Sequence, residues 1–501
     1  MKQLQCATFE GIEATQIRVE ATFTKGLPSF SIVGVVNTAI NEAKERVKSA
    51  LLSNDFSFPP KRVTINLSPS DIKKEGSQFD LAIALLIALN QKELQIDEWF
   101  VFGELGLDGS VKENALFFPL ILSLANQGRI AKAIVPNESI PKLSTIPSVV
   151  FVGVNTLNEA VNILQSDTPT VPPRKDTPDY PCLRINSATY FYEHVYAEDF
   201  LDVKGQDVAK RAALIAAAGM HNLLLEGSPG CGKSMIAKRL RYIMPPLHNS
   251  DILETAKLQV LDGKEPTFAP LRNFRAPHHS ATNASIFGGG SHKAQIGEIG
   301  LSNKGILFFD ELPHFSKSAL EALREPLEDG KIRIARVNSK VEYTTDFLFI
   351  AAMNPCPCGN LLSHEKACRC SDLEIQRYKN RLSEPFLDRI DLYVQMQPVH
   401  VGDTVSCCSK DLHLNVIEAF RIQKERGQER LNGRLNDREI EQFCTLSAAA
   451  QDILEKATKN FALSFRSIKK VQKVARTIAD LNHSEHIEKA HLLEALSFRR
   501  R

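Results

Sequence analysis

The chain has 501 residues, 43% of them hydrophobic and 24% charged, with 61 Lys and Arg against 59 Asp and Glu for a net charge of +2. This composition excludes a disordered or fibrous chain and is long enough for about three domains. It also excludes nucleic-acid affinity spread over the whole surface, so any such affinity rests on local patches or on several subunits pooling theirs.

The start, MKQLQCATFE, lacks a basic-then-apolar signal pattern, and the longest apolar run, 81–89, is far shorter than a bilayer span. A cytoplasmic location with no membrane partner is therefore expected. Residues 1–165 alternate β-branched runs (16–24, 62–67, 149–154) with helical stretches (41–52, 78–89, 116–127), which predicts a complete α/β domain. The segment 166–181, SDTPTVPPRKDTPDYP, has five prolines and no apolar periodicity, so 166–198 is expected to be a linker. Strand-then-helix patterning returns over 199–398, and 399–501 shows helical spacing with almost no strand signal.

The strongest chemistry lies in the third segment. A short apolar strand, 222–226, runs into GSPGCGKS and then a helix, which is the GxxxxGK[ST] phosphate loop in its confirming context. Gly227, Gly230 and Gly232 would let the backbone N–H groups of this loop, which also holds Ser228, Pro229 and Cys231, curl around a polyphosphate. Lys233 would supply charge to its β and γ groups, and the Ser234 hydroxyl would ligate Mg²⁺. Farther on, GILFFDEL predicts a buried strand ending in two carboxylates: Asp310 suits Mg²⁺, and Glu311 suits the attacking water. The strand FLFIAAMN ends at Asn354, an amide placed to sense the γ-phosphate through the same water. ATP is the expected ligand.

Two residues later, Cys356, Cys358, Cys368 and Cys370 form two Cys-x-Cys pairs. In a reducing compartment such a cluster is a metal site or a set of reactive thiols, and four thiolates can close around one tetrahedral structural Zn²⁺. The segment KIRIARVNSK carries Lys331, Arg333, Arg336 and Lys340, with Lys331 and Arg333 expected on one strand face. It reads as either a solvated hairpin or a DNA-backbone contact. His278 and His279 in APHHS lack a nearby third ligand and read as structural.

Motifs along nearly the whole chain resemble the YifB/ComM branch of magnesium-chelatase-like AAA+ ATPases. They include VKGQDVAKRAALIAAAGMHNLLLEGSPGCGKS, FRAPHHSATNASIFGGG, GEIGLSNKGILFFDEL, AAMNPCPCG and RLSEPFLDRIDL. The resemblance implies a P-loop AAA+ core with a helical lid and a hexameric ring, with loops 274–290 and 330–345 facing the pore. It makes Arg389 an arginine finger and Arg466 a second sensor.

The N-terminal part resembles the Lon protease fold (ribosomal S5 domain 2-like). However, Gln78 stands at the serine position, and Phe117 or Phe118 stands where the lysine is expected, so the domain is read as catalytically degenerate. Relatives of this kind imply a helicase promoting branch migration of single-stranded or branched DNA during natural transformation, with recombination proteins as further partners. The opposing reading is a remodeller of a protein partner, for which Phe287 and Phe274 are the candidate gripping aromatics.

Overall fold

The computed structural model describes every residue except 1, 36–37, 93–97, 166–178, 290–295, 336–339, 363–365, 401, 462 and 500–501. The chain divides into two compact units: Met1–Thr177 with Ala256–Thr267, and Pro178–Thr255 with Phe268–Arg501. The short piece 256–267 thus belongs with the N-terminal unit, although in sequence it falls within 199–398.

The N-terminal unit is built on a seven-stranded mixed sheet. Strand Arg62–Ser68 shows how the sequence sets it: Val63, Ile65 and Leu67 alternate inward while their neighbours face out, the period-2 pattern of a half-buried strand. Helix Asp80–Ala88 is apolar on nearly every side and buried from Asp80 through Ile87. Just before it, Gln78 is buried and donates to the carbonyls of Glu75 (2.7 Å) and Ala7 (3.2 Å). The Ser77 hydroxyl donates to Glu104. Phe117 and Phe118 are core residues.

The second unit contains a five-stranded parallel sheet: β1 (Leu223–Gly227), β2 (Phe274–Arg275), β3 (Ile306–Phe309), β4 (Leu348–Met353) and β5 (Leu392–Met396), in spatial order β2-β3-β4-β1-β5. Strands β1, β3 and β4 are buried at every position, as expected of parallel strands covered on both faces. The insertion of β4 between β1 and β3 decides the site. It brings the ends of three strands distant in sequence side by side, at the carboxyl edge where open α/β sheets bind ligands.

The C-terminal segment is helical, as its spacing predicts. Helix Phe465–Leu481 buries Val471, Val474, Ala475, Ile478 and Ala479, an i, i+3, i+4, i+7, i+8 stripe, and is capped by Ser464 accepting from the Ser467 N–H.

The expected linker differs from its description in one place. Beyond its undescribed part, Cys182–Ile185 and Ala188–Phe191 form an antiparallel hairpin. Asn186 (φ 46°) and Ser187 (φ 69°) make the two-residue turn. Two positive φ values are what a tight hairpin requires, and the alternating residues after the last proline carry the strands. Among the described residues no helix is long and apolar enough to cross a membrane.

Candidate ATPase site and cysteine cluster

The phosphate loop leaves the end of β1. Gly230 (φ +83°) and Gly232 (φ +94°) occupy the left-handed region, with open space where a Cβ would stand. Backbone conformation, not crowding, calls for glycine at both. Cys231 turns inward and is buried, its sulfur filling the place of a Gly227 side chain. The Ser228 hydroxyl is buried without a hydrogen-bond partner among the described residues. Lys233 opens helix Lys233–Leu240, and its ammonium donates to the carbonyls of Gly227 (2.7 Å) and Ser228 (3.0 Å) and to the Asn354 amide oxygen (3.2 Å). Ser234 Oγ donates to Asp310 Oδ2 at 2.8 Å, so two hard oxygens lie together where Mg²⁺ is expected.

Glu311 follows in the left-handed conformation (φ 51°), a strain of about 1–2 kcal/mol for a residue with a side chain. Its N–H bonds Asp310 Oδ1 at 2.9 Å, and its carboxylate, half exposed, lies 3.5 Å from His279 Nδ1. His279 lies against His278 with the rings tilted by 36° (4.1 Å between ring centres) and approaches His314 (5.8 Å), which meets Tyr378 edge-on (6.1 Å). Burial pushes the Tyr378 phenol up to about 12, and it is hydrogen-bonded to the Asn354 backbone. A wall of rings therefore runs from the Glu311 carboxylate round to Asn354. The sequence predicts a structural role for both histidines, whereas His279 stands beside the Glu311 carboxylate; the paired rings in APHHS are the one sequence signal for it.

Arg389 and Arg466 are not part of this arrangement. Asn222, just before β1, donates its side-chain amide to the Arg389 carbonyl (2.9 Å), and its own N–H donates to Asp391 (2.9 Å). Arg389 thus stands at the amino end of β1 and Lys233 at the carboxyl end, separated by a five-residue strand, or about 16 Å. The two guanidiniums instead meet on one carboxylate. Arg389 Nη2 pairs with Glu328, and Arg466 Nη2 lies 2.8 Å from Glu328 Oε1, with Asp388 at 3.4 Å from Arg466 Nε. The five candidate catalytic residues therefore separate into three at one end of the sheet and two at the other.

The four cysteines come together. Sulfur separations are 3.5 Å for Cys356–Cys358 and 3.6 Å for both Cys356–Cys368 and Cys358–Cys368, and all four sulfurs lie within 4.8 Å of one another. Zn–S bonds of about 2.3 Å give tetrahedral edges of about 3.8 Å, so the residues fit this ion. Backbone N–H groups of Asn360 and Arg369 draw the Cys358 thiol down to about 6, whereas Cys368 and Cys370, beside the same sulfurs, are held above the usual thiol range. His364 lies outside the described residues. At Gly359 (φ +78°) an added Cβ would stand 2.6 Å from Pro229 Cδ, so the cysteine loop rests directly on the phosphate loop.

The basic hairpin pairs Lys331–Ala335 with Lys340–Thr344. Lys331 and Arg333 share a face as expected, but both bind Glu342, at 2.6 and 2.8 Å. One carboxylate thus offsets part of the expected collar of positive charge. Lys340 pairs in register with Ala335, and Arg336 lies outside the described residues. Phe274 packs on Phe308 (5.8 Å) against the core, so it is not a gripping aromatic; Phe287 ends helix Asn283–Phe287.

Residues 199–404 match the family described as magnesium chelatase, subunit ChlI; residues 407–499 match its C-terminal part; and residues 19–139 match subunit ChlI of Mg-chelatase. Competence protein ComM of Haemophilus influenzae is 37% identical over 499 residues, covering 98% of this chain and 95% of that protein. The chain belongs to the ComM/YifB family of magnesium-chelatase-like AAA+ proteins. Another similar member is "Uncharacterized protein YifB" of Escherichia coli, 36% identical over 499 residues, 98% of this chain and 95% of its own. The magnesium-chelatase 67 kDa subunit of Heliobacterium mobile is more distant, 25% identical over 235 residues, 38% of this chain and 35% of that one. Membership in this family implies ATPase activity, which agrees with the phosphate loop and the paired carboxylates beside it.

Proposed function

We propose that this ComM/YifB-family chain is one subunit of a hexameric, ATP-hydrolysing ring that moves along single-stranded or branched DNA and promotes branch migration when incoming DNA recombines. The observation that carries the reading is the division of the site. Lys233, Ser234, Asp310, Glu311 and Asn354 gather at one end of the sheet, while Arg389 and Arg466 lie at the other. No arginine side chain spans the strand between them, so a complete site takes its arginines from a neighbouring copy. Head-to-tail contacts of that kind close into rings when the rotation between copies closes.

In such a site Lys233 neutralises the β and γ phosphates, and Asn354 holds the attacking water. Glu311 accepts the water's proton, and a neighbour's Arg389 stabilises charge on the transferring group. Ser234 and Asp310 would hold Mg²⁺, which neutralises charge on the β and γ oxygens. The cysteines would hold a structural zinc, the C-terminal helices act as the lid, and the N-terminal unit is a protease-like fold used for assembly or substrate engagement. Support for DNA comes from the basic hairpin and from the similarity to a protein named for competence. A cytoplasmic location and recombination proteins as partners fit the same reading.

Two observations favour a protein substrate instead: Glu342 ties up both Lys331 and Arg333, and a chelatase subunit is among the relatives. The two readings separate on one experiment. ATPase rate is measured with and without single-stranded or forked DNA, together with unwinding of a forked or four-way substrate. DNA stimulation with salt-sensitive binding is expected; the absence of both stimulation and low-salt binding would sink the DNA reading.

A further inference from the structure

Glu328 has no place in either reading, yet it sits where two residues distant in sequence meet. It lies on the short helix Arg324–Asp329, immediately before the Gly330 turn into the basic hairpin. Its two carboxylate oxygens are divided between two guanidiniums, Oε2 to Arg389 and Oε1 to Arg466 at 2.8 Å. Burial works against its charge, but the two arginines outweigh that and hold its carboxyl below the usual range. Arg389 is folded back against this face. Its side chain is only 10% exposed, its Nη1 donates to the Pro385 carbonyl, and its buried Nε has no partner among the described residues.

An arginine has a long side chain whose rotamers cost free energy to order, and two like charges repel when brought together. A single carboxylate between them removes both penalties, provided that both must point the same way. The helix is itself fixed, because the Thr345 hydroxyl donates to the Pro326 carbonyl (3.2 Å) and the Thr345 N–H to the Gly330 carbonyl (2.9 Å).

We infer that Glu328 is a positioning residue for ATP hydrolysis in the adjoining subunit, yoking Arg389 and Arg466 so that the two are presented together. This rests on the ring reading above. Glu328 touches neither nucleotide nor water, and it acts only through the two arginines. Its loss therefore lowers the turnover of sites that the variant subunit serves and leaves nucleotide binding in its own phosphate loop intact.

The test uses the full-length protein. Glu328→Gln is expected to lower kcat by about tenfold or more, a fraction of what a whole arginine finger contributes, with KM for ATP changed less than about twofold. Glu328→Asp, which keeps the charge, recovers part of that loss. Equal mixing of Glu328→Gln with Lys233→Ala then creates sites whose phosphate loop comes from the first subunit and whose arginines come from the second. Half the sites keep Lys233 and half of those face an intact donor, so the rate climbs toward about a quarter of the unmodified protein's. This recovery also shows that the Gln variant is folded.

Arg389→Ala mixed with Lys233→Ala separates the two levels of the argument. Recovery there without recovery for Glu328→Gln overturns the yoke and leaves the ring. Failure of both mixtures overturns the ring reading and the yoke with it. A kcat for Glu328→Gln within twofold of the unmodified protein, or a loss expressed in KM, also overturns the inference.

Discussion

The Lys233 ammonium and the Asn354 amide oxygen are joined by a hydrogen bond of 3.2 Å, which ties the phosphate loop to the end of β4. Because Asn354 spends its oxygen on Lys233, its NH₂ group is the half left to face a water at the γ-phosphate. Asn354→Ala should lower kcat by about 10²-fold, the scale of losing one oriented donor, with KM for ATP changed by less than threefold. Steady-state ATPase kinetics decide it, and an effect seen mainly in KM would show that Asn354 serves binding instead.

Glu311 and His279 are predicted to act as a unit. Glu311→Gln should bind ATP and lose about 10²- to 10⁴-fold in turnover, as expected for a general base. His279→Ala, which removes the imidazole 3.5 Å from the carboxylate, should cost about tenfold. The double variant should be no slower than Glu311→Gln alone, because the histidine acts through the glutamate. Independent, multiplying losses would show that His279 has a separate role.

The purified protein is expected to carry one zinc per chain, and Cys356→Ser should lose it together with thermal stability. Less than about half an equivalent in the unmodified protein would count against the metal site. Gly359→Ala separates metal from nucleotide. It places a methyl group against Pro229 and forces a side chain into a left-handed backbone, so zinc should remain while the Kd for ATP rises several-fold. Metal analysis and nucleotide titration on the same sample read both.

Two buried histidines set an acid limit on stability. Burial pulls His221 and His413 from 6.5 down to about 4, against a Met244 backbone hydrogen bond at His413, and His221 Nδ1 has no hydrogen-bond partner among the described residues. The unfolded chain therefore binds these protons before the folded one does. The stability contribution is complete above about pH 6.5 and is lost as pH falls toward 4, on the order of 3 kcal/mol for each group. Denaturation midpoints measured from pH 7 to 4.5 should fall, and His413→Gln should flatten that slope. An unchanged slope would assign the acid sensitivity to other groups.

Much of the nucleotide site could be read in advance because its parts are local. The phosphate loop is eight consecutive residues, and Asp310 and Asn354 each end an apolar strand, so pattern and chemistry lie in one stretch. What could not be read was pairing across the fold. Nothing near Glu328 in the chain announces Arg389 or Arg466, and nothing beside Glu311 announces His279, because these meet only after the strand order is set. The hairpin at 182–191 was obscured by the prolines before it, which dominated the composition of the segment. Lys331 and Arg333 were placed on the correct face, but their partner Glu342 comes from the opposite strand, which a count of cations along one strand does not include.

The five residues of β1 carry a further consequence. One end anchors the phosphate loop, and the other anchors, through Asn222, the segment bearing Arg389, the arginine that the proposed ring would offer to another subunit. In a closed ring each β1 is a rigid crossbar between two nucleotides, and the crossbars are wired in series. A change at one phosphate loop then reaches the subunit on one side before the other. The order of firing in the proposed ring would acquire a direction, set by the polarity of a single buried strand.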